Sequence, residues 1–493
     1  MLRRPLCLCV LCGAIGLLLA VLYWLRPQSA QAQEPAPPKG SISFINDVAP
    51  ILKENCFACH DAKKRKGKLD MTTYENLRKG GDKEDPIMPG KPDESYLIDA
   101  LHGMNAARMP PKEAGDALPM EKIAVIEQWI REGAKLDEGI APKAELPREL
   151  RVRWIPPAPP TVYKFPVTIT ALAFTPDKKK LVIGGQHELT VWDIASAKLE
   201  KRIHTRAERA YAMLFLPDGK LAVAGGRPGQ EGDVRIYDIA GGTPKMENDV
   251  AVLDGVNDKS VVIKQLLDTD DSVLCLAASS DGKKLASGGC DRMVNVWDLS
   301  AGYGNAKLDQ SIENHADWVF SVAFAADGKH LYTASRDKTA KVWDLSTKES
   351  VLTFPDHQNT VYGVAVKPDG KLGYSVGEDN QLRTWSTTGD QAGKQVRNAA
   401  QGKGIFKILQ HPKQPLLVTC SADQTVRIWN ADNGSQVKEL KGHTDWVYSV
   451  AISPDGNLVA SGAWNGEVIV WKIADGALVK AFNGSPGIQP VKK

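Results

Sequence analysis

The sequence has little net charge and none of the short motifs that mark the common enzyme classes. Its 62 lysines and arginines are almost balanced by 59 acidic residues, which leaves a formal charge of +3 over 493 residues. A protein that works mainly by binding nucleic acid normally has a strong basic excess, so this balance argues against that function. The sequence also has no nucleophile elbow, phosphate-binding loop or metal-binding triad, which argues against the enzyme classes that carry them.

Long hydrophobic runs are equally scarce, because only one is long enough to cross a bilayer. It extends from Leu6 to Leu25 behind two arginines, and it is followed by Ala30-Gln31-Ala32, which fits a signal-peptidase site. Residues 1–32 are therefore predicted to be a signal peptide cleaved after Ala32, or an uncleaved membrane anchor. Either alternative predicts an exported protein, periplasmic or membrane-anchored and facing the periplasm. A Pro-rich spacer follows at residues 33–40.

Cysteine is sparse beyond that run, where five residues remain. Two of them stand in Cys56-Phe57-Ala58-Cys59-His60, a C-x-x-C-H motif typical of covalent haem c attachment. Two thiols at this spacing add to the two vinyl groups on one porphyrin edge, and the next residue places an imidazole under the iron. The alternatives are a structural disulfide or half of a zinc site, but zinc would need a second Cys or His pair, and none follows. The motif predicts one covalent haem c held by Cys56, Cys59 and His60.

The segments around the motif are predicted to be helical. One helix begins at Ser43 and runs to about Asn55, with a kink at Pro50. Asp93 is predicted to cap a second helix that ends at Gly103, and Pro119 to open a third that stops at Gly133. A helix leading into the motif and a late amphipathic helix describe a small cytochrome c. Residues 41–136 are therefore assigned to an all-α haem-binding domain.

The sixth iron ligand has to come from outside the motif. Met109 is the preferred candidate because it precedes Pro110-Pro111 between two predicted helices, where the prolines fix the backbone and can press the loop against the haem. A thioether ligand also favours ferrous iron and raises the reduction potential, which suits electron transfer. Met88 is the second candidate, and a purely structural role for Met109 is the alternative. The remaining candidates are Met71, Met104, Met120 and His102.

The stretch from Phe44 to Ala134 resembles the planctomycete-type cytochrome c domain. The matching pieces occur in order as VAPIL, CFACH, KGKLDM, LRKGG, MPGKPDESYL, RMPP and EQWIREGA. The resemblance implies that the two cysteines and the histidine of the motif hold the haem and that Met109 is the sixth ligand. Met88 departs from the family pattern, in which a non-ligating aliphatic residue is more usual.

A basic run follows the attachment motif. It consists of Lys63, Lys64, Arg65, Lys66 and Lys68. It is predicted to be either a solvated loop or a docking patch that steers an acidic redox partner towards the haem edge.

Residues 137–160 are predicted to be a Pro-rich linker, and the sequence repeats itself from residue 161 onward. Seven endings with an aromatic residue after an apolar one recur at spacings of 45, 60, 46, 42, 44 and 42 residues. They centre on Trp192, Tyr237, Trp297, Trp343, Trp385, Trp429 and Trp471. This pattern resembles WD-repeat propellers, whose blades have four strands each. Residues 161–485 are therefore predicted to form a seven-bladed all-β propeller, with a tail at 486–493.

Aspartate and histidine also recur with the repeat. Asp291, Asp337, Asp379 and Asp423 stand six positions before the tryptophan, with Asn465 in the last repeat, and His315, His357 and His443 stand at a matching upstream position. The resemblance implies that they form a hydrogen-bonded set with a Ser or Thr and the Trp. Their recurrence in each blade indicates a structural role rather than catalysis. The first two repeats have Gln186 and Glu231 there and are degenerate.

The 60-residue spacing marks an acidic insertion at residues 241–271. It is predicted to be a solvated loop, with a binding loop or an acidic surface that meets the basic run as alternatives. The last repeat is expected to supply its own outer strand at 477–482, although residues 161–165 could compete for that edge. Cys275, Cys290 and Cys420 are predicted to be buried free thiols, with a Cys275–Cys290 disulfide as the alternative.

Together these patterns predict an exported c-type cytochrome that carries one haem for one-electron transfer and docks a partner protein on its propeller. The alternatives are a haem-based sensor or assembly scaffold, and a propeller-based redox enzyme. The latter would resemble cytochrome-type nitrite reductases, which have eight blades of a different type and need active-site histidines. No nucleic-acid partner is expected.

Overall fold

A computed structural model of the chain describes residues 41–83, 85–104 and 106–489. The predicted signal peptide or anchor (1–32) and the spacer (33–40) lie outside the described residues. Within the described part of the chain, no helix is both long and apolar enough to cross a membrane. The chain divides between Trp154 and Ile155 into two compact units.

The first unit is helical. Its helices are α1 Ala49–Asn55, α2 Tyr74–Lys79, α3 Tyr96–His102, α4 Met120–Arg131 and α5 Leu146–Arg153. Short turns of other helical types lie at Phe44–Val48, Lys66–Lys68 and Pro92–Glu94. One apolar core joins these helices, and in its centre the ring of Phe44 stacks on Trp129 with centroids 5.0 Å apart.

Two of the three predicted helix starts are confirmed. The Ser43 hydroxyl accepts a hydrogen bond from the Asn46 N–H at 3.1 Å, as an N-cap does, and Pro119 directly precedes α4. The predicted cap at Asp93 is wrong, because Asp93 lies inside the turn Pro92–Glu94 and Ser95 precedes α3. The Ser95 hydroxyl bonds the Met88 N–H and the Lys91 carbonyl instead, which fastens the preceding loop to the start of α3.

The helix α5 lies in the segment that the sequence analysis assigns to the linker. Pro147 stands in its first turn, where a proline opens a helix rather than breaking it. Leu146 is fully buried in the common core, and its N–H donates to the Thr72 carbonyl at 2.8 Å. The helical unit therefore extends to Trp154.

The second unit is a propeller of seven antiparallel sheets, here called blades one to seven. Blade one contains β1 Leu172–Phe174, β2 Lys180–Gly184, β3 Glu188–Asp193 and β4 Leu199–His204. Blade two begins with β5 Arg209–Phe215, β6 Leu221–Arg227 and β7 Glu231–Tyr237. The strands β8 Lys245–Glu247, β9 Val250–Asp254 and β10 Val262–Thr269 follow from the insertion.

Blades three to seven take their four strands from consecutive sequence. In blade three these are β11 Val273–Ala278, β12 Lys284–Gly289, β13 Met293–Asp298 and β14 Lys307–Glu313; in blade four, β15 Val319–Phe324, β16 His330–Ser335, β17 Ala340–Asp344 and β18 Glu349–Phe354. In blade five they are β19 Val361–Val366, β20 Leu372–Gly377, β21 Gln381–Ser386 and β22 Gln395–Ala400; in blade six, β23 Ile405–Gln410, β24 Leu416–Ser421, β25 Thr425–Asn430 and β26 Gln436–Lys441; in blade seven, β27 Val447–Ile452, β28 Leu458–Ala463, β29 Glu467–Lys472 and β30 Leu478–Asn483.

The repeated aromatic residues hold neighbouring blades together. Each ends or nearly ends the third strand of its blade, and all seven are buried. Trp297 of blade three, for example, packs on Ala222, Val234 and Ile236 of blade two. The period in the sequence is therefore the spacing of the seams between sheets, which is why it predicts the blade number correctly.

The acidic insertion is not a loop. Its hairpin β8–β9 extends blade one, since β9 pairs in parallel with β4, and β10 is the outer strand of blade two. Leu253 and Val261 anchor it by burial against Tyr237. The prediction of a solvated loop is wrong because these scattered apolar residues, among many acids, are enough to complete two sheets.

The ring closes without a shared strand. The outer strand of blade seven is β30, from the last repeat itself, as predicted. The segment before β1 instead bonds the chain after β30: the Tyr163 N–H donates to the Pro486 carbonyl at 3.0 Å, and the Val167 N–H to the Ser485 hydroxyl at 2.8 Å. Side chains of blades one and seven pack across this seam, including Trp192 on Phe482 at 5.2 Å between centroids.

The three propeller cysteines are free thiols, and the alternative of a Cys275–Cys290 disulfide is wrong. Cys275 and Cys420 are buried, whereas Cys290 is half-buried. Burial raises the pKa of the Cys420 thiol to about 12, so it stays protonated at neutral pH.

Candidate functional site

The C-x-x-C-H motif directly follows α1. The Cys56 N–H donates to the Leu52 carbonyl at 2.8 Å and so ends the helix. The N–H groups of Cys59 and His60 both donate to the Cys56 carbonyl at 3.0 Å, which coils the motif into a tight turn. This turn sets two thiols and an imidazole on one short stretch of backbone.

That turn forms one wall of a cavity of about 740 Å³ in the helical unit. The volume is in the range of pockets that take a cofactor-sized ligand. Apolar side chains from α3 and the segment before α2 line much of it, among them Leu69, Met71, Leu97 and Leu101. Cys56, Cys59, His60, Met109, Pro110 and Pro111 complete the part that concerns the motif.

The chemistry of these side chains fits a haem group. Both motif cysteines are free thiols at the cavity wall, available for thioether bonds. Burial, with a smaller contribution from Cys59, raises the pKa of the Cys56 thiol to about 12, so it is protonated at neutral pH. The Nδ1 atom of His60 is buried and has no hydrogen-bond partner among the described residues, an arrangement that usually marks a functional ring.

Of the candidate sixth ligands, only two line the cavity among the described residues, Met71 and Met109. Met88, Met104 and Met120 are exposed elsewhere on the surface. The His102 ring bonds the Glu127 carboxylate at 2.9 Å and does not face the cavity.

Met71 and Met109 differ in how they are held. The Met71 N–H donates to the carbonyl of His60 at 2.8 Å, so Met71 lies beside the proximal histidine, and its side chain belongs to the apolar core. The Met109 N–H donates to the Ala100 carbonyl of α3 at 2.7 Å, and its side chain is 37% exposed. An iron ligand opposite His60 has to come from another segment than His60 itself, and this favours Met109.

Gly103 makes the approach of the Met109 loop to α3 feasible. It ends the helix with φ of +68°, a conformation that glycine adopts without strain. A Cβ atom there would lie 3.0 Å from the Arg108 Cβ. A side chain at this position would therefore displace the loop that carries Met109.

The basic run is fully exposed beside the attachment turn. The Lys66 N–H donates to the Cys59 carbonyl at 3.1 Å, and the Lys64 ammonium donates to the Ala58 carbonyl at 2.7 Å. Hydrogen bonds from the N–H groups of Lys64 and Lys63 lower the pKa of Asp61, which fixes the turn between motif and run. Positive charge is thereby placed at the mouth of the cavity.

The recurrent histidines of the propeller are structural. His315 shares hydrogen bonds with Asp337 at 2.8 Å and with Thr333 at 2.7 Å, and the Thr333 hydroxyl accepts from the Trp343 indole at 2.9 Å. Blade five repeats this set with His357, Asp379, Ser375 and Trp385. In blade six Gln401 replaces the histidine and joins Asp423 and Thr419.

Blade seven differs from the sequence-based expectation. His443 pairs with Glu467 at 3.1 Å, and Asn465 bonds Thr444 instead. The expected role of Asn465 is wrong, because the longer Glu467 side chain reaches the histidine from two positions further along. With seven blades and their histidines so engaged, the propeller differs from the eight-bladed nitrite-reductase type.

The sequence analysis missed an aromatic surface at the mouth of the propeller ring. The residue after the first apolar position of the innermost strand is aromatic in four consecutive repeats, at Phe320, Tyr362, Phe406 and Tyr448. Each of the four lines a second cavity of about 1010 Å³. Aligning the repeats on their tryptophans would have found this column.

Comparison with known proteins agrees with both units. Residues 56–113 match the family model described as Planctomycete cytochrome C. Five segments match the WD domain, G-beta repeat, at 261–298, 306–344, 348–386, 394–430 and 434–472. These are blades three to seven, whereas the degenerate blades one and two are not among the matched segments.

Two curated relatives match short parts of the chain. The small ribosomal subunit protein RACK1y of Oryza sativa subsp. japonica is 38% identical over 69 residues, which cover 14% of this chain and 20% of the relative. Protein groucho of Drosophila melanogaster is 25% identical over 137 residues, which cover 27% of this chain and 16% of the relative. The chain thus spans a fifth or less of the length of these relatives.

Proposed function

We propose that this chain, a planctomycete-type cytochrome c domain joined to a seven-bladed WD-repeat propeller, is an exported one-electron carrier that docks protein partners on its propeller. One observation carries the proposal: a single cavity of about 740 Å³ has Cys56, Cys59, His60 and Met109 on its walls. The export signal at residues 1–32 supports a periplasmic or membrane-anchored location, where c-type haem attachment takes place.

The residues at the cavity divide the work of a carrier. Cys56 and Cys59 tether the cofactor at two points, and His60 and Met109 supply ligands from two separate segments. When bound, haem c supplies a reversible one-electron iron couple, whose potential a methionine ligand raises. Leu97 and Leu101 keep water from the cavity wall, and this burial also favours the less charged, reduced state.

The exposed basic run lies where a redox partner would approach. Lys66 itself lines the cavity, and Lys63 to Lys68 extend the positive charge outward. Such a surface attracts an acidic partner and raises the rate of encounter at low ionic strength. The propeller offers the second docking surface, as its resemblance to a ribosomal-subunit protein with WD repeats supports.

The test is to purify the full chain and measure haem under denaturing conditions. We expect one haem to remain on each chain after denaturation, and a reduced-minus-oxidised difference spectrum of c type. The double variant Cys56→Ser, Cys59→Ser should lose the covalent haem, whereas Cys290→Ser, at the half-buried propeller thiol, should keep it. A wild-type chain without covalent haem would reject the proposal.

A haem-based sensor is the second candidate, and the exposure of Met109 favours it. A ligand side chain that is 37% exposed is less firmly packed than a core residue, so an exogenous ligand could displace it. Rapid binding of CO to the reduced protein would support sensing. A spectrum unchanged by CO would support electron transfer.

A further inference from the structure

Six blades of the propeller have a bulge at the same place in their innermost strand. In each the strand ladder skips one residue just after the first apolar position. A bulge redirects the side chain of the extra residue. The six skipped residues all line the cavity of about 1010 Å³, here called the aromatic basin, and they are Tyr211, Leu274, Phe320, Tyr362, Phe406 and Tyr448.

The aromatic side of the basin is continuous. Ring centroids of Phe320 and Tyr362 are 5.1 Å apart, those of Tyr362 and Phe406 5.5 Å, and those of Phe406 and Tyr448 4.5 Å. Trp318, Trp446 and Trp464 flank this strip at 37%, 44% and 53% exposure. An exposed apolar surface of this extent on a soluble protein marks an interaction site.

The basin has a single lysine at its inner end. Lys407 follows the bulged Phe406, and the corresponding residues of blades two, three, four, five and seven are small and uncharged: Ala212, Cys275, Ser321, Gly363 and Ser449. Its ammonium donates to the carbonyls of Thr170 at 3.1 Å and Tyr211 at 3.2 Å. These bonds connect blade six to blades one and two.

Lys407 has a charge without a counter-charge. Within the described part of the chain, no carboxylate forms an ion pair with it, and the two carbonyls use two of the three N–H donors of an ammonium. Burial lowers its pKa, which is the direction expected for a cation that lacks an acidic partner. A ligand carboxylate would supply both the missing acceptor and the missing charge.

The walls of the basin limit the class of ligand further. Asp271 and the exposed Glu378 also line it, and the Glu378 carboxylate accepts a hydrogen bond from the Tyr362 hydroxyl at 2.6 Å. These acids repel a polyanion such as nucleic acid but tolerate one carboxylate near Lys407. Tryptophan, tyrosine and arginine are the side chains that dominate protein docking surfaces, and the Arg336 guanidinium lies 4.9 Å from the Trp318 ring centre.

We infer that the aromatic basin docks an extended segment of a partner protein, with one carboxylate bound to Lys407 and with apolar or proline side chains on the aromatic strip. The inference rests on the proposed role of the propeller as a docking platform and names the part of it that binds. Extended and Pro-rich segments suit such a surface because aromatic-lined grooves bind them through ring faces.

The experiment uses the full haem-loaded chain as bait for a displayed library of random dodecapeptides. The enriched sequences are then made as labelled peptides, and their affinities are measured by fluorescence anisotropy. We expect an Asp or Glu flanked by apolar residues or proline in the enriched set. Lys407→Met should weaken these peptides about tenfold or more, since it removes one partner of a buried charge pair. Tyr448→Ala and Trp446→Ala should weaken them through lost ring contacts.

Lys403→Met is the matched control, because Lys403 is an exposed lysine of the same basin. It should leave the affinity within about twofold of wild type. Thermal unfolding checks that Lys407→Met is folded, and Trp446→Ala, at an exposed position, tests the basin independently. If no peptide is enriched, or if the enriched peptides bind the Lys407, Tyr448 and Trp446 variants as tightly as wild type, the inference is overturned.

The outcome can be separated from that of the proposed function. The Cys56→Ser, Cys59→Ser double variant should bind the peptides like wild type, and the basin variants should keep the haem spectrum. Peptides that bind a propeller surface outside the basin would reject this inference and leave the docking role of the propeller intact.

Discussion

Met109 and Met71 both reach the haem cavity, yet their surroundings assign them different tasks. Met71 packs into the core beside His60, whereas Met109 stands on a separate loop held by one backbone hydrogen bond to α3. Composition alone cannot separate them, because both are methionines within one domain. The Pro-Pro sequence after Met109 is the signal that distinguishes it.

Met109→Ala is expected to lower the reduction potential by on the order of 0.1 V, because axial ligands set potentials over a span of about 0.8 V and methionine raises them. Redox titration followed by absorbance measures the change. Met88→Ala, at a methionine 44% exposed and away from the cavity, is the matched control and should leave the potential unchanged. Equal potentials in wild type and Met109→Ala would assign the sixth ligand elsewhere, and Met71→Leu would then be examined.

Asp379 predicts a pH dependence of stability. Burial acts to raise the pKa of Asp379, but the hydrogen bond and charge of His357 outweigh burial and lower it from 3.8 to about 2. Since the folded-state pKa is the lower one, this carboxylate stabilises the fold above pH 4, and the contribution is lost as pH falls towards 2.

Asp379→Asn should therefore lower the free energy of unfolding by about 1–3 kcal/mol at pH 7 and by less at pH 3. Urea unfolding at the two pH values measures the difference. The exposed Asp390→Asn is the control and should change stability little at either pH. A destabilisation by Asp379→Asn that is as large at pH 3 as at pH 7 would contradict the role assigned to the carboxylate.

At the scale of elements, α5 is the part of the helical unit that sequence patterning missed. Its eight residues contain one deeply buried leucine, so they show no amphipathic period. Their position depends on the contact between Leu146 and a core assembled from distant segments.

Leu146→Ala is expected to destabilise the helical unit by about 2–5 kcal/mol, the cost of a large-to-small change in a core. Thermal unfolding followed at the haem absorbance reports on this unit selectively. Val152→Ala, on the exposed side of the same helix, should have an effect below about 0.5 kcal/mol. Equal effects of the two substitutions would mean that α5 does not pack on the core.

Elements with their own periodic signal were predictable, and those completed by distant partners were not. The seven tryptophan or tyrosine positions predicted seven blades, and Ser43 and Pro119 marked two helix starts. The strands β8 to β10 escaped prediction because their acidic composition hides the few buried residues that hold them, such as Leu253. Glu467 escaped because a side chain two residues from the usual position reaches the same histidine. The haem ligands stay a prediction that the cavity supports.

For the whole propeller, the seam between blades one and seven is the one place where neighbouring blades are not consecutive in the chain. The other six neighbour pairs are joined by a loop, whereas this pair depends on side-chain packing and on the bonds of residues 163–169 to the chain after β30. Opening the ring at this seam breaks no chain connection, so the seam should open first.

Phe482→Ala should destabilise the propeller by about 3–5 kcal/mol and speed hydrogen exchange mainly in blades one and seven. Phe354→Ala removes a comparably buried ring in blade four, which stacks on Trp385 at 5.4 Å. It should raise exchange locally in blades four and five. Native-state exchange read by mass spectrometry distinguishes the two patterns, and identical patterns would contradict a seam-first opening.

The six bulges make recognition and folding separable in this ring. Each bulged residue stands outside the regular strand ladder, so its side chain can change while the inter-strand hydrogen bonds of the blade remain. The buried tryptophans that join the blades lie in other strands and are not affected. The mouth of the ring therefore behaves as a variable surface on a constant frame, much as antibody loops do on theirs, and related chains can acquire new partners by substitution at these few positions alone.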